Sequence, residues 1–130
     1  MIVLDASAAI EWLLQSRAGL RIDQRIFAPS ESLHAPHLLD VEVTQVMRRY
    51  VRDKAITARR GQEALEDLAD APLNRYPRDL LIPRIWELRE TLRAYDGAYV
   101  ALAELLDAPL VTCDGKIASA SGHHARIEVI

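Results

Sequence analysis

Four acidic residues occupy positions from which they could share one chemical task. Asp5 and Asp114 each follow a short apolar run, Asp96 precedes an apolar segment, and Glu42 lies inside an amphipathic one. Carboxylates that are brought together repel one another unless a cation compensates, and ligand sets made only of oxygen suit hard ions such as Mg²⁺ and Mn²⁺. Such an ion polarises a phosphoryl oxygen, lowers the pKa of a bound water and stabilises a leaving oxygen. The four residues therefore predict a metal site suited to phosphodiester hydrolysis.

Glu42 is the most informative of the four. It shares a helix face with Leu39, three residues before it, and with Val46, four residues after it. A carboxylate removed from water is costly unless it is paired, protonated or bound to metal. An ion pair with an arginine is the structural alternative to a metal ligand.

The three aspartates have a simpler structural alternative. Asp5, Asp96 and Asp114 each stand just before a predicted helix, and Asp is a favoured N-cap residue that contributes about 1 kcal/mol. Two acids at strand ends, one at a helix start and one on an apolar helix face are nevertheless difficult to treat as four coincidences.

Short apolar segments alternate along the chain with segments of helical periodicity. The predicted strands span residues 2–4, 33–35, 73–76, 110–113 and 127–130. The predicted helices span residues 8–14, 38–53, 58–71, 79–92 and 98–106, and the region from Gly19 to Ser30 is predicted to be loop or a short helix. This order predicts an α/β fold, a three-layer α/β/α sandwich with helices on both faces of a short, mostly parallel central sheet. Ligands of such sheets bind beyond the carboxyl ends of the strands, so Asp5 and Asp114 are expected to be neighbours.

Charge is unevenly distributed along the chain. The net charge of −3 argues against a polyanionic partner, because nucleic-acid-binding proteins usually carry a basic surface. A cluster of acids would itself lower the total, however, and one segment is rich in cations: Arg48, Arg49, Arg52, Lys54, Arg59 and Arg60. This segment is either a solvated helix face or an RNA-contacting patch, and the sequence favours neither.

Length and composition predict one domain, residues 1–130, because half of the residues are hydrophobic and suffice for a core. Cys113 is the single cysteine and has no internal disulfide partner, which fits a reducing cytoplasm. Met1–Leu4 predicts a strand and not a signal peptide, and no apolar stretch approaches the roughly 20 residues that cross a bilayer. We therefore expect a soluble cytoplasmic protein, with Cys113 as a small core residue and not a nucleophile.

Several other residues are predicted to be structural. Trp12 and Trp86 lie among apolar helical neighbours, which indicates core or interface positions. His123 and His124 follow a glycine in a polar stretch, which indicates exposure. Lys116 is expected to be an exposed lysine in a turn, with contact to a bound phosphate as the alternative.

The segments around the four acids resemble, in order, the acidic motifs of PIN domains, and most closely those of the VapC toxins of bacterial toxin–antitoxin pairs. These segments are Leu4–Ser7, Leu39–Val43, Tyr95–Ala103 and Leu110–Asp114. The resemblance covers essentially the whole chain. It implies a PIN-like fold, endoribonuclease activity that depends on Mg²⁺ or Mn²⁺ and leaves 5′-phosphate and 3′-hydroxyl ends, a homodimer, and a VapB-type antitoxin bound near the active site.

By the same resemblance, the four acids are the catalytic and metal-binding residues, and Ser7 and Thr112 help to orient them or a water. Two departures from the family pattern stand out. Gln45 replaces a common asparagine, and Gly115 and Lys116 stand where some relatives carry a further acid or amide. The second departure leaves a second ion short of ligands, so we expect one firmly held ion.

Two other function classes remain as alternatives. A catalytically silent PIN-like module would regulate through RNA or protein contacts, but such a module has no reason to keep four mutually repelling carboxylates. A phosphatase with Asp5 as its nucleophile would generally need a second acid two residues later, where this chain has Ser7.

Overall fold

The computed structural model describes all 130 residues. Its strands are β1 (Ile2–Leu4), β2 (Leu33–Pro36), β3 (Leu73–Tyr76), β4 (Leu110–Thr112) and β5 (Ile127–Val129). Its helices are α1 (Ala6–Leu14), α2 (Arg17–Ile26), α3 (Leu38–Arg52), α4 (Ala58–Asp70), α5 (Ile82–Glu87), α6 (Ala94–Leu106) and α7 (Gly115–Ser119). The five strands form one parallel sheet in the order β3-β2-β1-β4-β5. This arrangement confirms the predicted α/β/α sandwich, and none of its helices is both long and apolar enough to cross a bilayer.

The central strand β1 explains why the sheet forms as it does. Ile2, Val3 and Leu4 are almost completely buried, and Val3 lies in register with His34 of β2 on one side and Leu110 of β4 on the other. A parallel strand covered on both faces is apolar throughout, because neither face meets water. The three-residue apolar run at the N-terminus is therefore the middle of the sheet.

Helix α6 supplies a large part of the core. Every residue from Gly97 to Ala103 is buried, as expected for a helix that is apolar on all sides. This helix begins at Ala94, four residues before the predicted start. Asp96 consequently lies within its first turn and not in front of it.

The prediction of one continuous helix over residues 79–92 is wrong. A short 3₁₀ turn at Arg78–Leu80 is followed by α5, which ends at Glu87. Leu81, Leu88 and Leu92 are buried, whereas Ile82 and Trp86 are 52% and 66% exposed. The apolar residues at helical spacing thus belong to two different faces, and Trp86 is a surface residue instead of a core one.

Helix α2 occupies most of the region that the sequence left as loop or a short helix. Its N-cap Ser16 accepts a hydrogen bond from the Gly19 N–H at 3.0 Å. A Cβ atom at Gly19 would lie 2.0 Å from the carbonyl oxygen of Glu11 in α1. The glycine therefore permits close contact between two helices and does not interrupt one.

Candidate active site

The carboxyl ends of β1 and β4 bring Asp5 and Asp114 to the same edge of the sheet. The two strands are direct neighbours, with Leu4 opposite Val111. Asp5 is the N-cap of α1 and accepts a hydrogen bond from Ala8 N–H at 2.9 Å. Asp114 is the N-cap of α7 and accepts one from Lys116 N–H at 2.9 Å. The capping explanation therefore holds for both residues, in addition to their position at the strand ends.

Asp5 is held by a compact network of hydroxyl groups. Its side chain is 4% exposed, and its Oδ1 accepts a hydrogen bond from Ser7 Oγ at 2.7 Å. Its Oδ2 accepts a hydrogen bond from Thr112 Oγ1. Burial raises the pKa of Asp5, while the hydrogen bonds from Thr112, Ala8 and Ser7 oppose that rise. Ser7 and Thr112, which the family resemblance implies help to orient the acids or a water, are thus in direct contact with Asp5.

The same hydroxyls tie the ends of β1 and β4 together. Ser7 Oγ lies 3.2 Å from Thr112 Oγ1 and accepts a hydrogen bond from Cys113 N–H at 2.9 Å. Thr112 Oγ1 also accepts one from Asp114 N–H at 2.9 Å. The position of Asp5 is therefore coupled to the backbone that carries Asp114.

Glu42 projects from α3 and is half-buried. Its Oε1 accepts a hydrogen bond from Tyr99 of α6 at 2.9 Å. Burial raises the pKa of Glu42, the Tyr99 hydrogen bond lowers it, and the charges of Asp96 and Asp5 raise it further. Glu42 forms no ion pair, so the arginine alternative is wrong; the acid of α3 that pairs with an arginine is Asp40, which binds Arg75 at 2.7 Å.

Asp96 has no capping role. The N-cap of α6 is Arg93, and no hydrogen bond reaches the Asp96 carboxylate. Burial and the charge of Asp114 raise the pKa of Asp96, while the charges of Arg93 and Lys116 oppose that rise. A half-buried carboxylate that caps no helix and pairs with no cation is unexplained by stability alone.

All four predicted acids line one open cavity of about 420 Å³. Its wall also contains Tyr99, Arg49, Tyr50, Cys113 and Glu11, none of which was predicted from the sequence to belong to the site. Tyr99 lies three residues after Asp96 and Arg49 seven after Glu42, so helical spacing from the two acids is the signal that could have found them.

The oxygen donors of this cavity fit Mg²⁺ or Mn²⁺ in chemical type. The carboxylates are close enough to shift one another's pKa values upward, which a cation would offset. No group of three or more acidic, His or Cys side chains is arranged as a ligand cage. Mg²⁺ usually keeps several waters and binds through one or two carboxylates, so this donor set suits it, and the assignment of all four acids as ligands stays a prediction.

Cys113 is not the core residue that we expected. It is partly exposed in the cavity wall beside the acids. Burial and the charges of Asp5 and Glu11 raise the pKa of Cys113, while Arg21 opposes the rise. Its thiol therefore stays protonated near neutral pH, which agrees with the prediction that it is not a nucleophile.

Comparison with known proteins gives the family. Residues 2–122 match the PIN domain family. Ribonuclease VapC12 of Mycobacterium tuberculosis is 42% identical over 100% of this chain and 99% of its own length, and Ribonuclease VapC9 of the same species is 39% identical over 100% and 98%. The crystal structure of VapBC2 from Rickettsia felis, bound to a DNA fragment from their promoter, superimposes with a TM-score of 0.72 at 15% identity and covers 99% of this chain and 98% of that one. The chain therefore belongs to the PIN domain family and, within it, to the VapC type.

Proposed function

We propose that this protein is a divalent-cation-dependent endoribonuclease that acts as the toxin of a type II toxin–antitoxin pair. The observation that carries the proposal is the convergence of Asp5, Glu42, Asp96 and Asp114 on one cavity from four separate stretches of the chain. Relatives that share about two fifths of the sequence over their whole length bear the name ribonuclease. Gathered carboxylates at the end of a parallel sheet are what a metal-dependent phosphodiesterase needs.

Asp5, Glu42, Asp96 and Asp114 would hold the cation, Mg²⁺ or Mn²⁺. When bound, it supplies an activated water and stabilises the charge that develops on the phosphate. Ser7 and Thr112 hold the Asp5 carboxylate in one orientation, so no free energy is spent on ordering it during the reaction.

The reaction proposed is hydrolysis of an RNA phosphodiester by in-line attack. The bond between phosphorus and the 3′ oxygen breaks, which leaves a 5′-phosphate on one fragment and a 3′-hydroxyl on the other. The three acids with raised pKa values, Asp5, Glu42 and Asp96, repel the negative charge of the substrate. Cleavage therefore requires that positive charge be supplied at the site, and this requirement is why we expect metal dependence.

The proposed partners follow from the relatives. The Rickettsia felis structure contains a VapBC2 pair, and we propose that this chain likewise binds a VapB-type antitoxin near the cavity and forms a homodimer. Size-exclusion chromatography with light scattering, on the chain alone and with its candidate antitoxin, measures both assemblies.

The test of the activity uses a variant that leaves hydrogen bonding intact. Asp96→Asn removes one charge and no hydrogen bond. The matched control is Asp67→Asn, which makes the same change on the exposed face of α4, where Asp67 has no ion pair or side-chain hydrogen bond. Antitoxin-free parent protein and Asp67→Asn are expected to cleave single-stranded RNA in Mg²⁺ or Mn²⁺ and to stop in EDTA. Asp96→Asn is expected to lose at least about a hundredfold in rate. A parent that cleaves no RNA with either metal, or an Asp96→Asn variant as active as the parent, would refute the proposal.

A further inference from the structure

Arg49 lies in the wall of the carboxylate cavity. It is on the same face of α3 as Glu42, since residues at i, i+4 and i+7 of a helix share a face, and Val46 lines the cavity between them. Two helical turns, about 11 Å, separate Arg49 from Glu42 along the axis. Arg49 is therefore placed beside the proposed point of cleavage and not at it.

The guanidinium of Arg49 is not used to neutralise the acids. Arg49 is exposed, forms no ion pair and donates no side-chain hydrogen bond; its guanidinium carbon lies 5.6 Å from the centre of the Tyr50 ring. Other arginines of the same cation-rich segment are engaged: Arg59 pairs with Glu63 at 3.2 Å, and Arg60 donates to the carbonyl of Leu13 at 2.6 Å. Within that segment, Arg49 is thus a free cation at the cavity.

Two further free cations lie near acids of the cavity, although neither lines it. Arg93 is the N-cap of α6, three residues before Asp96, and Lys116 is in α7, two residues after Asp114. Both are exposed and neither forms an ion pair. Their charges reach the Asp96 carboxylate, where they oppose the rise of its pKa. Arg49 in the cavity wall and the exposed Arg93 and Lys116, here called the cationic rim, consequently bring positive charge close to the acidic site.

We propose that the cationic rim binds the phosphates that flank the cleaved phosphodiester in single-stranded RNA. The inference rests on the proposed function and deepens it, since it names the residues that hold the substrate. A chain of net charge −3 with four clustered acids repels a polyanion, so binding depends on cations at the edge of the site. A guanidinium can bind a phosphate through two parallel hydrogen bonds, and an ammonium attracts it as a point charge.

The test measures binding apart from cleavage. Fluorescence anisotropy of a short, labelled single-stranded RNA of mixed sequence is recorded in EDTA over a series of salt concentrations. Arg49→Gln is compared with Arg48→Gln, which removes an arginine that is also exposed and unpaired from the neighbouring position outside the cavity wall. Arg49→Lys keeps the positive charge but removes the two parallel N–H donors of the guanidinium, so it separates the effect of charge from that of hydrogen-bond geometry.

Arg49→Gln is expected to weaken binding about fivefold and to reduce the slope of log affinity against log salt by about 0.7, the contribution of one phosphate contact on a single strand. Arg48→Gln is expected to change affinity by less than about twofold. Arg49→Lys should keep the slope and recover part of the affinity. In Mn²⁺, Arg49→Gln is expected to raise KM with kcat nearly unchanged.

Different outcomes overturn the two proposals. If the parent binds RNA and Arg49→Gln matches Arg48→Gln in affinity and in slope, the rim is refuted while the ribonuclease assignment stands. If the parent binds RNA but never cleaves it, the ribonuclease assignment fails and the rim is still judged by the same comparison. If the parent neither binds nor cleaves RNA, both are refuted.

Discussion

Single residues decide how the acids are held, and Tyr99 is the clearest case. Tyr99 is 1% exposed, and its hydroxyl is the only side-chain group that donates a hydrogen bond to Glu42. A buried hydroxyl that donates to a carboxylate fixes the direction of that carboxylate, because the bond is charge-assisted and short-range. Tyr99 therefore acts on the site by positioning Glu42.

Replacement of Tyr99 by Phe is expected to lower kcat for RNA cleavage about tenfold, since the loss of a hydrogen bond to a charged group costs about 1.5 kcal/mol. The unfolding free energy should fall by no more than about 1.5 kcal/mol, because only the hydrogen bond is lost and the ring volume is kept. Tyr50→Phe is the matched control: Tyr50 lines the same cavity but its hydroxyl makes no hydrogen bond. Rates and urea unfolding curves are measured together, and equal rates for the two variants would contradict the positioning role.

The sequence identified the acids better than their partners. The prediction that Asp5 and Asp114 are neighbours rested on their positions at the ends of strands, and the prediction that Glu42 is partly buried rested on its helical spacing to Leu39 and Val46. Tyr99 was hidden because a tyrosine in an apolar helix is usually only a core residue. The hydrogen bond that gives it a role crosses from α6 to α3, and no local pattern records which helices will meet.

At the scale of elements, the strands and the bounds of α3 and α4 were predicted to within a residue or so, whereas the helix over 79–92, the start of α6 and the extent of α2 were not. The buried strands β1 and β4 are short, mostly apolar runs, and Thr57, a residue type favoured at N-caps, caps α4 and accepts a hydrogen bond from Arg60 N–H at 3.1 Å. The helix at α5 was misjudged because buried and exposed apolar residues interleave there. The length of α2 was not predicted because a glycine usually indicates a loop, and the sequence does not show that Gly19 lies in close contact with α1.

The contact between α1 and α2 depends on Gly19. The Cβ atom of Gly19→Ala would lie 2.0 Å from the Glu11 carbonyl oxygen, so the helices must separate, at a cost of about 2–3 kcal/mol. Gly97→Ala is the control, since its Cβ would meet Ile85 at 3.6 Å, an ordinary contact. Urea unfolding should show Gly19→Ala clearly destabilised and Gly97→Ala unchanged or more stable; similar curves for both would show that the helix contact is easily adjusted.

An ion pair joins α5 to α6 and makes their contact sensitive to acid. Arg84 Nε donates to Glu104 Oε2 at 2.7 Å, and the Glu104 side chain is 7% exposed. Burial alone would raise the pKa of Glu104, but hydrogen bonds from Arg84 and from His124 N–H outweigh it and hold the pKa below its ordinary value of 4.5. The folded protein thus takes up this proton at lower pH than the unfolded chain. The stabilisation is present above 4.5 and is lost as the pH falls through the folded-state pKa.

Glu104→Gln should therefore reduce the unfolding free energy by about 2 kcal/mol at neutral pH, because Arg84 loses its buried partner. The difference from the parent is expected to shrink as the pH falls below 4.5, the ordinary value for Glu, and to be smallest once the pH passes the lower folded-state pKa at which Glu104 of the parent is protonated. Glu87→Gln removes the other carboxylate that pairs with Arg84. Because the Glu87 side chain is 62% exposed, this change should have little effect on the unfolding free energy at any pH. A pH-independent loss in Glu104→Gln would show that packing, and not charge, explains the contact.

The whole molecule combines charges of both signs at one end of its sheet. Four acids line the cavity together with the free cation Arg49, and the exposed cations Arg93 and Lys116 lie close in sequence to Asp96 and Asp114. Repulsion among the acids destabilises the fold, which gains stability from anything that offsets their charge. Metal binding at the cavity is therefore linked to the stability of the entire domain, even though the acids belong to different elements.

This linkage predicts that Mn²⁺ raises the thermal stability of the antitoxin-free protein in a concentration-dependent way. At a metal concentration of about 100 times Kd, the gain is about 2.7 kcal/mol, or a Tm increase of about 10 °C for a chain of this size. Glu42→Ala should abolish both the Tm increase and the heat of Mn²⁺ binding in calorimetry, whereas Glu66→Ala on the exposed face of α4 should keep both. Two results would favour the catalytically silent module: the parent does not bind Mn²⁺, or Glu42→Ala binds it as well as the parent does. In either case the acids would not hold a cation together, and they would contribute only mutual repulsion to the folded protein.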